Sequence, residues 1–326
     1  MGLTGIKVAL GIVALTEAAF VGAGLGAFEL NLRRRPEWND GIRILSQDDM
    51  RNDFYRRKHM EWINRQKKEY YEKKSFDGLS LKAVYVYNEA QTEEKGRKVV
   101  LFSHGYGGKG LGDMSTFADY YSARGYDMFF PDQRTHGESE GKYITFGAHE
   151  NKDIRMWCNE IVKKWGPDCQ IVLHGWSMGA ATAFLAVCHG MPEQLKCLVF
   201  DCGYCSAYEE FMSVAKNAAP LPDPILNFVV MHADIWTRLL GKFPIKDAAP
   251  IRFADKMNLP VLFVHGDADD FVPTWMGHKL YKATKKTPYK DQLIVPDAGH
   301  VMSYVYGRED YQAALDRLLE FSIQSE

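Results

Sequence analysis

From residue 79 onward, the chain alternates between short apolar runs and longer stretches in which apolar positions recur every three or four residues. Several of the short runs contain no polar alternation, a pattern typical of strands that helices cover on both faces. Seven segments are predicted to be strands: Leu81–Tyr87, Val99–Ser103, Met128–Pro131, Ile171–His174, Leu198–Asp201, Val261–His265 and Gln292–Val295.

Helical patterns separate these runs. They cover, approximately, Met114–Ala123, His149–Lys164, Ser177–His189, Thr274–Ala283 and Asp310–Ile323. Regular alternation of strands and helices predicts an α/β domain with a mostly parallel sheet and right-handed crossovers. Ligands of such sheets bind beyond the carboxyl ends of the strands, so the chemistry is expected there.

A different pattern precedes the domain. Residues 8–28 are apolar except for Thr16 and Glu17, and as a helix they would span about 30 Å, the thickness of a bilayer core. The apolar region of a secretory signal is usually only about 7–15 residues long. We therefore predict a retained transmembrane anchor in residues 1–32; the alternative is a cleaved segment and a secreted protein.

Positive charge follows the apolar run. Arg33, Arg34 and Arg35 come directly after it, and residues 51–74 hold nine Lys or Arg against four Asp or Glu. This asymmetry predicts a cytoplasmic catalytic portion. Residues 33–75 are predicted to be a basic helical linker, which either lies against anionic headgroups or is a solvated surface helix.

Composition narrows the range of partners and cofactors. The net charge of −2 gives no case for nucleic acid binding. Of six cysteines, only Cys202 and Cys205 form a close pair, and no further pair or histidine spacing completes a zinc site. We expect no metal and no cofactor, and free thiols packed as small apolar side chains in a reducing compartment.

The long connection between the fifth and sixth predicted strands interrupts the strand–helix rhythm. It is rich in apolar side chains and contains Pro220, Pro222 and Pro224. We interpret residues 203–258 as a small helical lid inserted in a hydrolase domain of residues 76–326. Its apolar side chains either line an acyl or aryl pocket or pack in the core; the candidates for substrate contact are Phe211, Met212 and Trp236.

Ser177 is the candidate nucleophile. It lies between Gly175 and Gly179, directly after the apolar run "IVLH" and before an alanine-rich helical segment. Glycines allow the chain to turn sharply from strand to helix, which leaves the serine hydroxyl exposed at the sheet edge. This Gly-x-Ser-x-Gly motif in strand–turn–helix context predicts nucleophilic catalysis.

A serine nucleophile needs a base and an acid, which follow it in that motif's usual chain order. His300 lies on a loop between the last predicted strand and the last helix, so we predict that it is the base. The acid that orients it is Asp267, Asp269 or Asp270, which spacing alone does not separate. Four other histidines are interpreted as packing or hydrogen-bonding groups: His104, His136, His174 and His265.

The negative charge that develops on the substrate oxygen needs backbone N–H donors. Met178 follows the nucleophile and is predicted to supply one of them. The other is expected from the loop of residues 104–108, with Tyr106 as the candidate, because Gly107 and Gly108 let the backbone approach closely. A phosphate-binding loop is the alternative, but the sequence lacks the required G-x-x-x-x-G-K-[ST] spacing.

Five segments together resemble the α/β-hydrolase fold of serine hydrolases, in the branch of the Bem46-like and YqkD-like hydrolases, monoglyceride lipases and serine-aminopeptidase-like proteins. They are "SHGYGG" (103–108), "PDQRTHGESEGKYITFG" (131–147), "HGWSMGA" (174–180), "VLFVHGDADDFVP" (261–273) and "AGHVMSY" (298–304). The resemblance implies that Asp269 is the acid, because it occupies the aspartate position of H-G-x-x-D-x-x-V-P. Thr135 occupies a position at which proteins of this branch usually have glycine. The difference concerns how the substrate fits, not the catalytic mechanism.

These features predict a serine hydrolase that cleaves small-molecule carboxylic esters, and the composition of the lid favours an apolar acyl or aryl substrate. The alternatives are a monoglyceride or lysophospholipid lipase, a thioesterase, and, outside enzymes, a catalytically silent membrane-tethered interaction protein. Silent members of such folds typically lack a member of the triad, whereas Ser177, Asp269 and His300 are all present. The sequence indicates no oligomeric state.

Overall fold

The computed structural model describes the backbone of residues 3–35, 47–92, 95–218 and 221–323. Within those ranges it describes side chains from residue 17 to 35 and from residue 56 onward. Residues 3–16 of the predicted anchor are thus described as backbone only, and residues 36–46 of the predicted linker lie outside the described residues.

An eight-stranded sheet forms the centre of the molecule, in the order β1-β2-β4-β3-β5-β6-β7-β8. Pairing is antiparallel from β1 to β2 and from β2 to β4, and parallel across the rest of the sheet. The strands are β1 (Lys68–Lys74), β2 (Ser80–Val86), β3 (Lys98–Ser103), β4 (Asp127–Pro131), β5 (Gln170–Trp176), β6 (Leu195–Asp201), β7 (Val261–Gly266) and β8 (Lys290–Val295). All seven predicted strands occur.

Helices pack on both faces of this sheet, as the uninterrupted apolar runs predict. Val99 and Leu101 face one apolar core, while Val100 and Phe102, the alternate residues of β3, face the other. The α-helices are α1 (Leu3–Leu32), α2 (Gln47–Arg65), α3 (Gly110–Met114), α4 (Ala118–Ala123), α5 (Glu150–Trp165), α6 (Met178–Cys188), α7 (Ala207–Ala218), α8 (Asp223–Leu239), α9 (Thr274–Ala283), α10 (Ser303–Tyr306) and α11 (Arg308–Ser322).

Strand β1 corrects the sequence prediction, which placed residues 68–74 in a helical linker. The segment "KEYYEKK" pairs along its whole length with β2 and forms one edge of the sheet. Edge strands often carry Lys and Glu, because charged side chains discourage pairing with another chain. Because of these charges the segment contains no apolar run, so the sequence analysis did not predict a strand there.

The lid segment, residues 203–258, contains α7 and α8 and two 3-10 turns, Ile245–Asp247 and Pro250–Lys256. Pro222 precedes α8 and Pro224 stands in its first turn, where a missing N–H costs little. One face of α8 is buried through Leu226, Val230 and Ala233. The segment is therefore an insertion between β6 and β7 that packs on the main domain.

The second half of α1 lies on the domain that contains the sheet. Phe28 and Leu32 are fully or almost fully buried, at 0% and 2% exposure, and the helix packs across α8. Within the described part of the chain, no helix combines the length and the apolar character that crossing a bilayer requires. The predicted transmembrane segment, residues 8–28, falls partly on side chains outside that part.

The six cysteines are all free and buried. Burial raises the pKa of the Cys188 and Cys197 thiols to about 12, so both remain protonated at neutral pH. These observations agree with the prediction of thiols packed as small apolar side chains.

Candidate active site

Ser177 occupies a sharp turn between β5 and α6. Its backbone has φ 54° and ψ −128°, a conformation that costs energy for a residue with a Cβ atom. A Cβ at Gly175 would lie 2.5 Å from the carbonyl oxygen of Gly179, and one at Gly179 would overlap the carbonyl oxygen of Ser103. Both glycines are therefore required by the close approach of β5, α6 and the end of β3.

His300 lies beside this turn, on the loop that connects β8 to α10. Its Nε2 atom is 2.8 Å from the hydroxyl oxygen of Ser177, and its Nδ1 atom is 2.8 Å from Oδ2 of Asp269. With the proton on Nδ1, the ring donates to Asp269 and accepts from the serine hydroxyl. The three side chains thus form one continuous chain of hydrogen bonds.

Asp269 is held by more than this histidine. Its Oδ1 atom accepts the backbone N–H groups of Phe271 and Val272, at 3.1 and 2.9 Å, and Oδ2 lies 3.3 Å from Nε2 of His265. Burial alone would raise the pKa of Asp269, but the hydrogen bonds with His265 and His300 outweigh it and lower the pKa to about 2. The carboxylate is therefore ionised at neutral pH.

The two other aspartates of this loop are placed differently. Asp267 accepts the backbone N–H of Asp297 at 2.7 Å, and Asp267 and Asp270 are both exposed. Of the three aspartates that the sequence left open, the structure brings only Asp269 to His300.

The two predicted oxyanion donors flank Ser177. Met178 is the first residue of α6, so its N–H belongs to the helix terminus that has no acceptor within the helix. A Cβ at Gly105 would lie 3.4 Å from Cβ of Ser177, which places the loop containing Tyr106 directly against the serine. Helix α6 also turns the positive end of its dipole toward this point.

Two of the remaining histidines support the loops around the serine. Nε2 of His136 accepts the backbone N–H of Gly107 at 3.0 Å, and Nε2 of His104 accepts that of Gln133 at 2.9 Å. Burial lowers the pKa of His136 well below its ordinary value, so the ring is neutral and can accept. His174 and His265 are also buried and hydrogen-bonded.

Thr135 occupies a left-handed backbone position, with φ 73°. Glycine adopts this conformation without steric cost, which explains why glycine is common there in the branch that the sequence resembles. Thr135 compensates with a hydrogen bond from its hydroxyl to the carbonyl of Tyr143, at 3.0 Å. It is fully buried and is absent from the wall of the cavity beside Ser177, so it does not contact substrate there.

A cavity of about 460 Å³ opens beside Ser177, and its surface is mainly apolar. Phe211 lines it, as predicted, but Met212 and Trp236 do not. Met212 faces the core instead. The indole of Trp236 points toward α1 and donates to the carbonyl of Val21 at 2.9 Å. Met212 follows Phe211 on α7 and points the other way, because adjacent helical residues face different directions.

Two contributors to the cavity were not predicted. Residues of α1 form part of its wall, and so does Glu210 of α7. Glu210 is 4% exposed and neither of its carboxyl oxygens has a hydrogen-bond partner among the described residues. Burial, followed by repulsion from Asp269, raises its pKa to about 8. In the sequence, Glu209-Glu210 is indistinguishable from a solvated pair.

One group of candidate metal ligands occurs among the described side chains. Single atoms of Cys202, Asp269 and His300 lie within 4.8 Å of one another. The carboxylate and the imidazole already bond to each other, and burial raises the pKa of the Cys202 thiol well above its ordinary value. Metal ligation needs a thiolate, so this chemistry fits the residues poorly.

Part of this chain is similar in sequence to known proteins. A family model described as "Serine aminopeptidase, S33" matches residues 94–252. The YqkD protein of Bacillus subtilis, itself uncharacterized, is 29% identical over 197 residues, or 60% of this chain and 63% of YqkD, which is less than two thirds of its length. The uncharacterized YfhR protein of Escherichia coli K12 is 22% identical over 70% of this chain and 72% of its own.

Solved structures share the fold. The Pyrococcus furiosus esterase Pf2001 superimposes with a TM-score of 0.62 at 21% identity, over 79% of this chain and 92% of the esterase. Dipeptidyl peptidase 4 of Porphyromonas gingivalis gives a TM-score of 0.59 at 19% identity, over 78% of this chain and 35% of that one. At these identities the likeness concerns the fold alone.

Proposed function

We propose that this chain is a hydrolase and that it cleaves carboxylic esters through a covalent acyl-enzyme on Ser177, a proposal that the family match and the shared fold support. The observation that carries the proposal is the unbroken chain of hydrogen bonds from Ser177 through His300 to Asp269, at 2.8 Å in both links. The serine end of this chain of hydrogen bonds faces an apolar cavity in which an ester can lie.

Acylation begins when the hydroxyl oxygen of Ser177 attacks the ester carbonyl and Nε2 of His300 takes its proton. The ionised Asp269 stabilises the imidazolium that forms. The N–H groups of Met178 and Tyr106 are the proposed donors to the oxyanion. The intermediate collapses as Nε2 of His300 returns the proton to the leaving alcohol, and the acyl group remains on Ser177.

Deacylation reverses these roles. His300 takes a proton from a water molecule, whose oxygen attacks the acyl carbonyl, and the oxyanion donors act again. The serine hydroxyl leaves with the proton from His300, and the carboxylic acid departs. No step needs a metal or cofactor.

The cavity favours an apolar acyl group over a charged one. Ala215, Val229 and Val230 are among its lining side chains, and an ionised substrate group would lose hydration against them. An apolar acyl group fits an esterase or a monoglyceride or lysophospholipid lipase, and a thioester fits the same mechanism. A series of p-nitrophenyl esters of increasing acyl length distinguishes an esterase from a lipase.

A second candidate is hydrolysis of an amide next to a free amine, and Glu210 favours it. Its buried carboxyl group in the cavity wall has no described hydrogen-bond partner, and a substrate amine could pair with it. The test compares p-nitrophenyl esters with aminoacyl p-nitroanilides. Faster cleavage of the anilides, lost in Glu210→Gln, would replace the esterase proposal with a peptidase.

The main test is Ser177→Ala. We expect kcat for p-nitrophenyl esters to fall about 10⁴-fold or more with an unchanged thermal unfolding midpoint. Ser122→Ala is the matched control, because Ser122 lies on α4 outside the cavity wall, and it should retain full activity. Ester turnover that survives in Ser177→Ala would refute the assignment, whereas a wild-type protein without ester turnover would support a silent interaction protein.

We further propose that the protein associates with a membrane through its N-terminal region. The apolar sequence of residues 8–28 supports this, as does the outer face of α8, where Phe228, Met231 and Ile235 are at least 39% exposed beside α1. The charge asymmetry favours a catalytic domain on the cytoplasmic side. The protein should co-sediment with membrane vesicles; recovery in the supernatant would argue against membrane association.

A further inference from the structure

Helix α1 contributes directly to the cavity that opens beside Ser177. Six residues in the last turns of α1 or just after it lie in the cavity wall: Ala27, Phe28, Leu30, Asn31, Leu32 and Arg35. A segment whose sequence suggests only an anchor therefore shares one cavity with the nucleophile.

The packing of α1 on the lid segment is close and specific. A Cβ at Gly24 would lie 2.7 Å from the carbonyl carbon of His232, so glycine is required for the two helices to approach. The Glu17 carboxylate lies 3.1 Å from Nε2 of His232, and Phe20 contacts Phe228 with ring centres 5.0 Å apart. These contacts join α1 to α8.

The end of α1 is tied to the catalytic domain as well. The guanidinium of Arg34 donates to the carbonyls of Ser139 and Gly137, both at 2.6 Å, and Ile144 N–H donates to the carbonyl of Leu32 at 2.7 Å. Gly137, Ser139 and Ile144 belong to the loop that follows β4. The helix is thus fixed at both ends of the part whose side chains are described.

A further contact joins α1 to the loop beside the nucleophile. The Tyr106 hydroxyl donates to the carbonyl of Asn31 at 2.7 Å, and the same residue is the proposed oxyanion donor. The wall that α1 supplies therefore has a fixed position relative to Ser177, which a specificity-determining wall requires.

From this geometry we infer that α1 is the wall of the acyl-binding cavity that sets the longest acyl chain accepted, with Ala27 and Leu30 facing the chain. The inference rests on the proposed ester hydrolysis. It assigns a substrate-selecting role to a segment outside the strand–helix core, and it names an unbranched apolar acyl group as the ligand of this wall.

The test is a chain-length profile of Ala27→Trp. A larger side chain at position 27 should fill the cavity, because Ala27 is one of its lining residues. We expect kcat/KM for p-nitrophenyl decanoate to fall about tenfold or more relative to p-nitrophenyl acetate, since a pocket distinguishes acyl groups by their fit. The acetate reaction itself should persist and shows that the triad works.

Gly26→Trp is the matched control. Gly26 lies on the same helix turn and is exposed, and a Cβ at this position would have no other atom within 4 Å, so the chain-length profile should not change. Should Ala27→Trp lose acetate turnover, the smaller Ala27→Leu provides the same comparison. An unaltered profile in the Ala27 variant that retains acetate turnover overturns the inference. It leaves the esterase proposal intact, because the variant still hydrolyses an ester.

Discussion

At the scale of single residues, the candidate site depends on a strained serine in a confined turn. Ser177 holds a positive φ, and the surrounding backbone leaves space for glycine alone at positions 175 and 179. The sequence motif predicts this turn because glycine spacing reports directly on backbone geometry. It could not choose among Asp267, Asp269 and Asp270, because one or two positions in a loop decide which side chain turns toward His300.

The confinement predicts the effect of Gly179→Ala. Its Cβ would overlap the carbonyl oxygen of Ser103, and backbone on both sides prevents an easy adjustment. We expect the free energy of unfolding to fall by about 1–3 kcal/mol and ester turnover to fall with it. Urea denaturation measures the change. Gly190→Ala controls for the loss of glycine; its Cβ would meet nothing within 4 Å, although its φ of 95° adds some strain. Equal losses in both variants would contradict the steric explanation.

Glu210 makes stability depend on pH. Its pKa rises from an ordinary 4.5 to about 8 in the folded protein, so between these pH values the unfolded chain has lost the proton and the folded chain retains it. The free energy of unfolding therefore falls as pH rises from about 4.5 to about 8.

Glu210→Gln removes this dependence. We expect its free energy of unfolding to match the wild type near pH 4.5 and to exceed it increasingly up to pH 8, by a few kcal/mol at most (on the order of 1 kcal/mol per pKa unit). Thermal unfolding at several pH values measures the difference. A constant difference across this range would show that Glu210 does not titrate as the structure indicates.

At the scale of elements, one buried arginine with two carboxylate partners fixes the loop after β4 to its neighbours. Arg134 is 2% exposed and lies 2.6 Å from the carboxylate of Asp153 on α5 and 2.9 Å from that of Asp77. Neither partner can be identified from the sequence, because they are separated from Arg134 along the chain and brought near only by the fold. The strands, in contrast, follow from local apolar runs, and only the charged edge strand β1 escapes that argument.

Removing the guanidinium leaves a buried carboxylate without its partner. Arg134→Ala should lower the free energy of unfolding by about 3–5 kcal/mol. Arg155→Ala is the matched control: its guanidinium is bonded to the carbonyl of Gly190 at an exposed site, so the change should stay within about 0.5 kcal/mol. Chemical denaturation gives both values, and a loss below about 1 kcal/mol in Arg134→Ala would contradict the structural role.

At the scale of the whole molecule, the N-terminal helix, the lid segment and the sheet domain meet around one cavity. The sequence separates them, since an apolar run followed by basic residues is typical of an anchor and a linker. Their contact joins residues about 200 positions apart, such as Val21 and Trp236, and no local pattern records it. The fold class, Ser177 and His300 were accessible because their patterns are local, and the family resemblance selected Asp269. The composition of the cavity was not accessible.

This arrangement predicts that α1 contributes to the stability of the whole domain. Phe28 is fully buried in the main core, so Phe28→Ala should lower the free energy of unfolding by about 3–5 kcal/mol. Leu30→Ala is the control on the same helix, because Leu30 is 64% exposed and its loss should cost far less. Comparable small losses in both would indicate that α1 does not pack on the domain in solution.

The most direct measurement of the central claim is the site at which a fluorophosphonate modifies the protein. The hydrogen-bonded Ser177 should attack the probe, so peptide mapping by mass spectrometry is expected to find one adduct, on Ser177, whose formation parallels the loss of ester turnover and is abolished in His300→Ala. An enzyme that loses turnover while Ser177 remains unmodified, or that turns over esters with a modified Ser177, would contradict the account.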